Sequence, residues 1–292
     1  MVPVTLPLHD TNVSYPAGAI ASAGTVVFVA PLPDGRSAVV LDETAFHPVD
    51  TAWPDQPSDR GMLTSDAGEQ PIAEAVVGAI HEGELFLGAD VPVRTGTDGW
   101  TFVVAHLVSG AAPAVGSRVA VTVDVDYRAA LSAGHTACHL ASLALDAALA
   151  DAWTKPVPVD ALGHPAFDAL AIQSSRIAEN GSIDVYRIGK SLRKKGFDVA
   201  SLDVTDAVAE RANARLAGWV AAGADIRIER DTDGLSARRS WVAELADGEV
   251  AIPCGGTHLT SLAGLRSITV ALESAAVEGG LQLTMTTSVT PL

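Results

Sequence analysis

No lysine precedes Lys155 in this 292-residue sequence, and cysteines number only two. Two thiols cannot build a stapling framework, so at most one bridge, Cys138 to Cys254, is compatible with the count. Although 48% of residues are hydrophobic, no uncharged apolar run approaches the ~18 residues that a membrane span requires. The amino terminus lacks a basic leader followed by an apolar stretch, so no secretory signal is expected and a cytoplasmic location is. Nineteen basic residues face 35 acidic ones, giving a net charge of -16. This excludes a broadly basic nucleic-acid surface. The basic residues are unevenly placed, however: Arg187, Lys190, Arg193, Lys194 and Lys195 fall within nine positions. Such a cluster suits either a local phosphate contact or a solvated surface segment.

Between about residues 20 and 125 the chain consists of short apolar runs broken by Gly, Pro and Asp, among them TVVFVA, SAVVLDETAF, AEAVVGAI, ELFLG, WTFVVAHLV and SRVAVTVDV. These predict strands of a small barrel or curled antiparallel sheet. Near Arg128 the period changes, and RAALSAGHTACHLASLALDAALADAW predicts a long helix. A Pro-rich stretch, KPVPVDALGHP, precedes mixed segments and a second helix at VTDAVAERANARLAGWVAAG, with Thr205 and Asp206 as expected caps. The tail returns to strands at ADIRIERD, SWVAEL, EVAIP, RSITVAL and LQLTMTTSV. The expected fold class is α+β, with a β-barrel-like domain over 1–126 and an α+β domain over 127–292.

His135 and His139 stand four apart on the predicted long helix, where both imidazoles share one face and can reach a common ion. Alone, that spacing also fits two ordinary core histidines; Cys138, three residues from His135, either joins them as a ligand or is a small buried hydrophobe. A second motif, PCGGTH, repeats the spacing in Cys254 and His258, with two glycines expected to let the chain turn tightly after the strand EVAIP. Three imidazoles and one thiolate most simply match Zn²⁺. His47 and His106 each stand alone and are not expected to be ligands.

GHTACHL and CGGTH resemble the HTAxHLL and CGGTH signatures of AlaX-type trans-editing proteins and of the editing domain of alanyl-tRNA synthetase. VVLDETAFHPVDTAWPDQPSDRGML is similar to that family's LDxTxFYPxGGGQPxDxG segment, keeping Leu41, Asp42, Thr44, Phe46, Pro48, Gln56, Pro57, Asp59 and Gly61. It departs from it at His47, which replaces a tyrosine, and at Ala52, Trp53, Pro54 and Asp55, which stand where glycines are usual. IQSSRIAENGSIDVYRI is similar to a further family stretch and supplies Gln173, Ser175, Asp184 and Tyr186, whereas GGLQLTMTT lacks the arginines many editing domains carry there. The resemblance runs from about residue 20 to the end.

The resemblance implies a translation-factor-like barrel followed by an editing domain that holds the metal. It also implies hydrolysis of a serine or glycine ester from mischarged alanine tRNA. Bound Zn²⁺ lowers the pKa of water toward about 7 or holds a substrate while water attacks. Thr44 is the expected hydroxyl contact to a serine side chain, with an ordinary strand threonine as the alternative. Gln56 and Gln173 are expected to orient the ester or the terminal adenosine, and Arg187, Lys190, Arg193, Lys194 and Lys195 to contact tRNA. Two other functions fit the same residues: a zinc-dependent hydrolase of a different small ester or amide, and a non-catalytic zinc-binding module.

Overall fold

The computed structural model describes residues 6–50, 53–66 and 68–292. Of the four residues that replace the family's glycines, Ala52 lies outside them. About 44% of the chain is strand and 24% helix, so strands dominate a mixed α and β architecture. The chain forms two compact units. The first contains Met1–Arg128, Arg230–Arg239 and Gly255–Thr257; the second contains Ala129–Glu229, Ser240–Cys254 and His258–Leu292.

The first unit is built on β2 (Ala21–Pro31), β3 (Arg36–Leu41), β5 (Gly61–Ser65), β6 (Gly68–His81), β7 (Glu84–Leu87), β8 (Thr101–Ser109) and β9 (Arg118–Val123). They form one sheet in the order β5-β9-β2-β3-β8-β6-β7, and β5 also pairs with β6. Two-residue strands β1 (Asn12–Val13) and β4 (Glu43–Thr44) pair in parallel beside it. Val/Ile/Phe-rich alternation explains the sheet: Val26, Val39, Leu41, Leu63, Ile72, Phe102, Val104 and Val121 are buried in one cluster. β5 approaches β9 so closely that a Cβ at Gly61 would sit 2.0 Å from the Thr122 carbonyl oxygen. Only glycine fits there. The segment before β5 is fixed by a buried ion pair in which Arg128 donates through Nε and Nη2 to both oxygens of Asp59. Arg128 also donates to the Ala45 carbonyl, and the His47 amide donates to Asp59, so the desolvated charges are satisfied.

The second unit packs α1 (Val125–Ala148, from Ala129 onward) and α4 (Thr205–Ala222) with two sheets. One sheet has the order β10-β11-β16-β15, from β10 (Ile172–Ala178), β11 (Gly181–Ile188), β15 (Leu265–Val277) and β16 (Gly280–Pro291). The other is β12 (Ile226–Arg230), β13 (Arg239–Leu245) and β14 (Gly248–Pro253). Single-turn helices α2 (Phe167–Ala171) and α3 (Lys190–Lys194) complete the unit.

From Leu131 to Leu145 almost every α1 residue is buried or half-buried. This explains its abundance of Ala, Gly and Ser, since small side chains admit neighbours on several faces. At Gly134 the helix meets the β10–β11 turn, where a Cβ would lie 2.3 Å from the Ala178 oxygen and 2.6 Å from that of Gly181. Helix α4 rests on β15, and Asn213 exchanges two hydrogen bonds with the Val270 backbone. Its N-cap differs from expectation. Val204 holds that position with no side-chain cap bond, while Asp206 sits in the first turn, where its charge suits the helix dipole.

Candidate metal centre

The second unit brings both histidine-containing motifs together. Helix α1 presents His135 and His139, β14 leads into Cys254, and His258 follows four residues further along. Their donor atoms all lie within 4.8 Å of one another. The Cys254 sulfur is 3.5 Å from His135 Nε2 and 3.2 Å from His258 Nε2. Tetrahedral bonds of ~2.3 Å to sulfur and ~2.1 Å to nitrogen place such atoms about 3.6 Å apart. Donor spacing and chemistry therefore fit a small divalent ion of zinc type.

Burial supports the same reading. His139 Nε2 is enclosed and has no hydrogen-bond partner among the described residues. An orphaned buried nitrogen is costly unless another ligand satisfies it. Desolvation lowers the His139 pKa to about 4, so its imidazole is neutral and its lone pair available at physiological pH. His258 is steadied through its other nitrogen: Thr136 Oγ1 lies 3.4 Å from Nδ1 and accepts the Leu259 N–H at 3.0 Å. With Nε2 facing the thiol, Nδ1 is the nitrogen left to donate to Thr136, which selects a tautomer suited to metal binding.

Cys138 lies outside this set. Its thiol donates toward Asp184, at 3.5 and 3.7 Å, and burial followed by the Asp184 charge raises its pKa well above the usual thiol value. Both cysteines are free thiols, so the conceivable Cys138–Cys254 bridge is absent. Asp184 also accepts from Ser175 at 2.5 Å and Ser182 at 2.8 Å, while Tyr186 donates to Asp168 at 2.9 Å. The three residues named in that family-like stretch besides its exposed Gln173, namely Ser175, Asp184 and Tyr186, are thus divided between two polar clusters, with no place among the candidate metal donors.

Gly255 of CGGTH differs from expectation. Gly255 has no left-handed φ, and a Cβ there would meet nothing within 4 Å, so neither turn geometry nor close packing demands it.

The three expected catalytic residues occupy distinct environments. Thr44 is completely buried in the first unit, 2.8 Å from His106 Nε2 and accepting the Phe46 amide at 3.1 Å. His106 Nδ1 lies 3.0 Å from the Val39 carbonyl, which can only accept; Nε2 therefore accepts the Thr44 proton. Burial lowers the pKa of His106 to about 4 and keeps this neutral arrangement. His47 is likewise buried with a pKa near 4, set first by desolvation, and stands edge-on to Tyr15. Gln56, also buried, donates to Thr257 Oγ1 at 2.9 Å and accepts its N–H at 3.0 Å, both residues belonging to the first unit. Gln173 is exposed on β10, donating to its neighbouring Ile172 carbonyl.

The expected tRNA contacts form an exposed corner of the second unit. Lys190, Arg193, Lys194 and Lys195 are exposed and Arg187 is half-buried. Arg187 donates to the Glu278 carbonyl and Arg193 to that of Gly279 at 3.5 Å. Lys155 joins them by donating to the Lys194 carbonyl at 3.0 Å. The residue sequence reasoning missed is Trp241 on β13, whose ring centroid lies 5.1 Å from His139 and 6.0 Å from His258. Nothing in SWVAEL distinguishes it from an ordinary strand tryptophan.

Comparison with family models gives no match for this chain, and comparison with curated proteins gives none. No helix among the described residues is long and apolar enough to cross a membrane.

Proposed function

We infer that the protein is a zinc-dependent hydrolase that deacylates mischarged tRNA, with serine or glycine on alanine tRNA as the ester removed. The observation that carries this reading is the convergence of GHTACHL and CGGTH, 115 residues apart at Cys254 and His139, on one set of donor atoms within 4.8 Å. The paired motifs resemble those of AlaX-type editing proteins. The strand order of the first unit, in which β5 pairs with both β9 and β6, suits the barrel-like domain that the resemblance implies.

His135, His139, Cys254 and His258 would hold the ion, and Thr136 would fix the His258 tautomer. Bound zinc would supply Lewis acidity toward an ester carbonyl or an attacking water. The Thr44 hydroxyl already bonds His106, so a contact from this group to substrate requires that bond to exchange. Gln56 is similarly engaged by Thr257, which leaves the exposed Gln173 as the expected glutamine with a solvent-facing side chain. The lysine-rich corner supplies charge for a phosphate backbone.

The donor count favours a second reading, because four protein ligands complete a tetrahedral shell of the kind found in structural zinc sites. Deacylation of Ser-tRNA(Ala), Gly-tRNA(Ala) and Ala-tRNA(Ala) by zinc-loaded protein distinguishes the two. Loss of the serine or glycine ester with alanine spared, abolished in His135→Ala and Cys254→Ala, establishes editing. A folded, zinc-loaded protein that leaves all three esters intact removes this substrate and leaves the structural-zinc or small-ester reading.

A further inference from the structure

Trp241 has a property that core packing leaves unexplained. Its side chain is fully buried, yet indole Nε1 has no hydrogen-bond partner among the described residues. A buried indole N–H normally finds an acceptor, and an unmet donor costs free energy in the unliganded state. The same ring stands against two of the four metal donors, His139 and His258. His139 Nε2 is also buried and has no hydrogen-bond partner among the described residues. β13 fixes the tryptophan by antiparallel pairing with β14, where Trp241 lies opposite Ile252, two residues before Cys254. Two unmet polar atoms thus come from rings in direct contact, and they differ in kind. The imidazole nitrogen suits a cation, whereas the indole N–H requires an acceptor that no cation provides.

We propose that Trp241 is a positioning residue that donates its indole N–H to the oxygen of a small ligand, a carboxylate or ester carbonyl, entering beside His139 and His258. The bond satisfies a donor already desolvated by the fold, so an oxygen ligand gains it without further loss of protein hydration. This assigns the tetrad a ligand-receiving side lined by Trp241. It rests on the tetrad holding a metal, and it favours a working site over a sealed structural one.

Cobalt-loaded full-length protein titrated with acetate tests the proposal through its visible spectrum. Wild-type protein is expected to show a saturable spectral change. Trp241→Phe, which keeps an aromatic ring and deletes the donor, should bind cobalt with the same spectrum but acetate about tenfold or more weakly, the scale of a lost hydrogen bond to a charged group. Equal acetate affinity in the variant, or no response to acetate in cobalt-loaded wild type, overturns the assignment while leaving the metal site in place. Failure to bind cobalt removes the metal reading itself. A measurement on wild type alone remains decisive if the variant does not fold. One indole ¹⁵N–H resonance of the zinc-loaded protein should move on acetate addition and stay fixed in metal-free protein; five unmoved indole signals overturn the proposal.

Discussion

The hydroxyl oxygen of Thr136 lies 3.4 Å from Nδ1 of His258, joining the helix motif to the loop motif by a side chain that is itself completely buried. Thr136 also receives the Leu259 amide. Thr136→Val keeps the volume and removes both interactions, so zinc affinity is expected to fall about 10–100-fold, as for other orienting partners of metal-bound histidines. Thr136→Ser should recover most of it. Competition with a chromophoric chelator provides the measurement, and unchanged affinity in the valine variant would show that His258 needs no such support.

Binding of the metal should appear directly as stability. An ion that binds only the folded chain adds about 2.7 kcal/mol at a free concentration 100 times its Kd. Thermal unfolding with buffered zinc should therefore give a rise in Tm for wild type. The rise should largely vanish in Cys254→Ser, whose hydroxyl replaces a thiolate by a poorer zinc ligand. An equal rise in both proteins would place the ion elsewhere.

Gly134 precedes His135 and permits α1 to touch the β10–β11 turn. Gly134→Ala would gain helix propensity of about 1 kcal/mol, but its methyl group would press on the backbone oxygens of Ala178 and Gly181, which cannot rotate away. Overpacking of this kind costs about 1–3 kcal/mol, so the balance is expected to be destabilising, with zinc affinity falling as the helix is displaced. Urea unfolding of the metal-free variant separates the two effects, and an increase in midpoint would show that the turn yields.

Helix α1 and most strands were legible because their periods are strong and uninterrupted; β2, β3, β6, β8 and β9 contain the alternating apolar runs. The His135, His139, Cys254 and His258 cluster was legible because two local motifs each preserve a spacing. Other features depend on pairing between distant segments and leave no local trace. Arg230–Arg239 belongs with the first unit although it interrupts the second in sequence, and β10 and β11 lack a continuous apolar pattern because Ser175, Ser182 and Asp184 form an internal polar cluster. Thr44 illustrates a further limit. A threonine aligned with a family position looks available in sequence, and only the fold shows its hydroxyl bound to His106.

Asp146 is an acid placed on the buried helix, 3% exposed, with Oδ1 accepting the Asp168 amide at 2.7 Å. Burial, reinforced by the charges of Asp168 and Asp160, raises its pKa from 3.8 to about 9. Between those values the folded protein retains a proton that the unfolded chain has released, so this group's contribution to stability falls as pH rises through the window. Asp146→Asn keeps an acceptor for the Asp168 amide and does not titrate. Its Tm advantage over wild type should be small near pH 4 and grow by about 2 °C or more by pH 8. A difference independent of pH would show that water reaches the carboxyl.

All four lysines of the chain, Lys155, Lys190, Lys194 and Lys195, meet at one corner with Arg187 and Arg193, and none of the six forms an ion pair with a carboxylate among the described residues. In a protein of charge -16, such a corner would be the place where an RNA backbone meets least repulsion. Phosphate contacts release counterions, and each one removed lowers the slope of log affinity against log salt by about 1. Lys190→Glu combined with Lys194→Glu should therefore weaken tRNA binding by about tenfold or more at low salt and flatten the slope by about 2. Because these side chains lie outside the candidate metal donors, the proposed deacylation should show a raised KM with kcat little changed. Anisotropy titrations over a range of salt provide the test: an unchanged slope would move the RNA contact to another surface, and a fall in kcat alone would tie the corner to the chemistry instead of to docking.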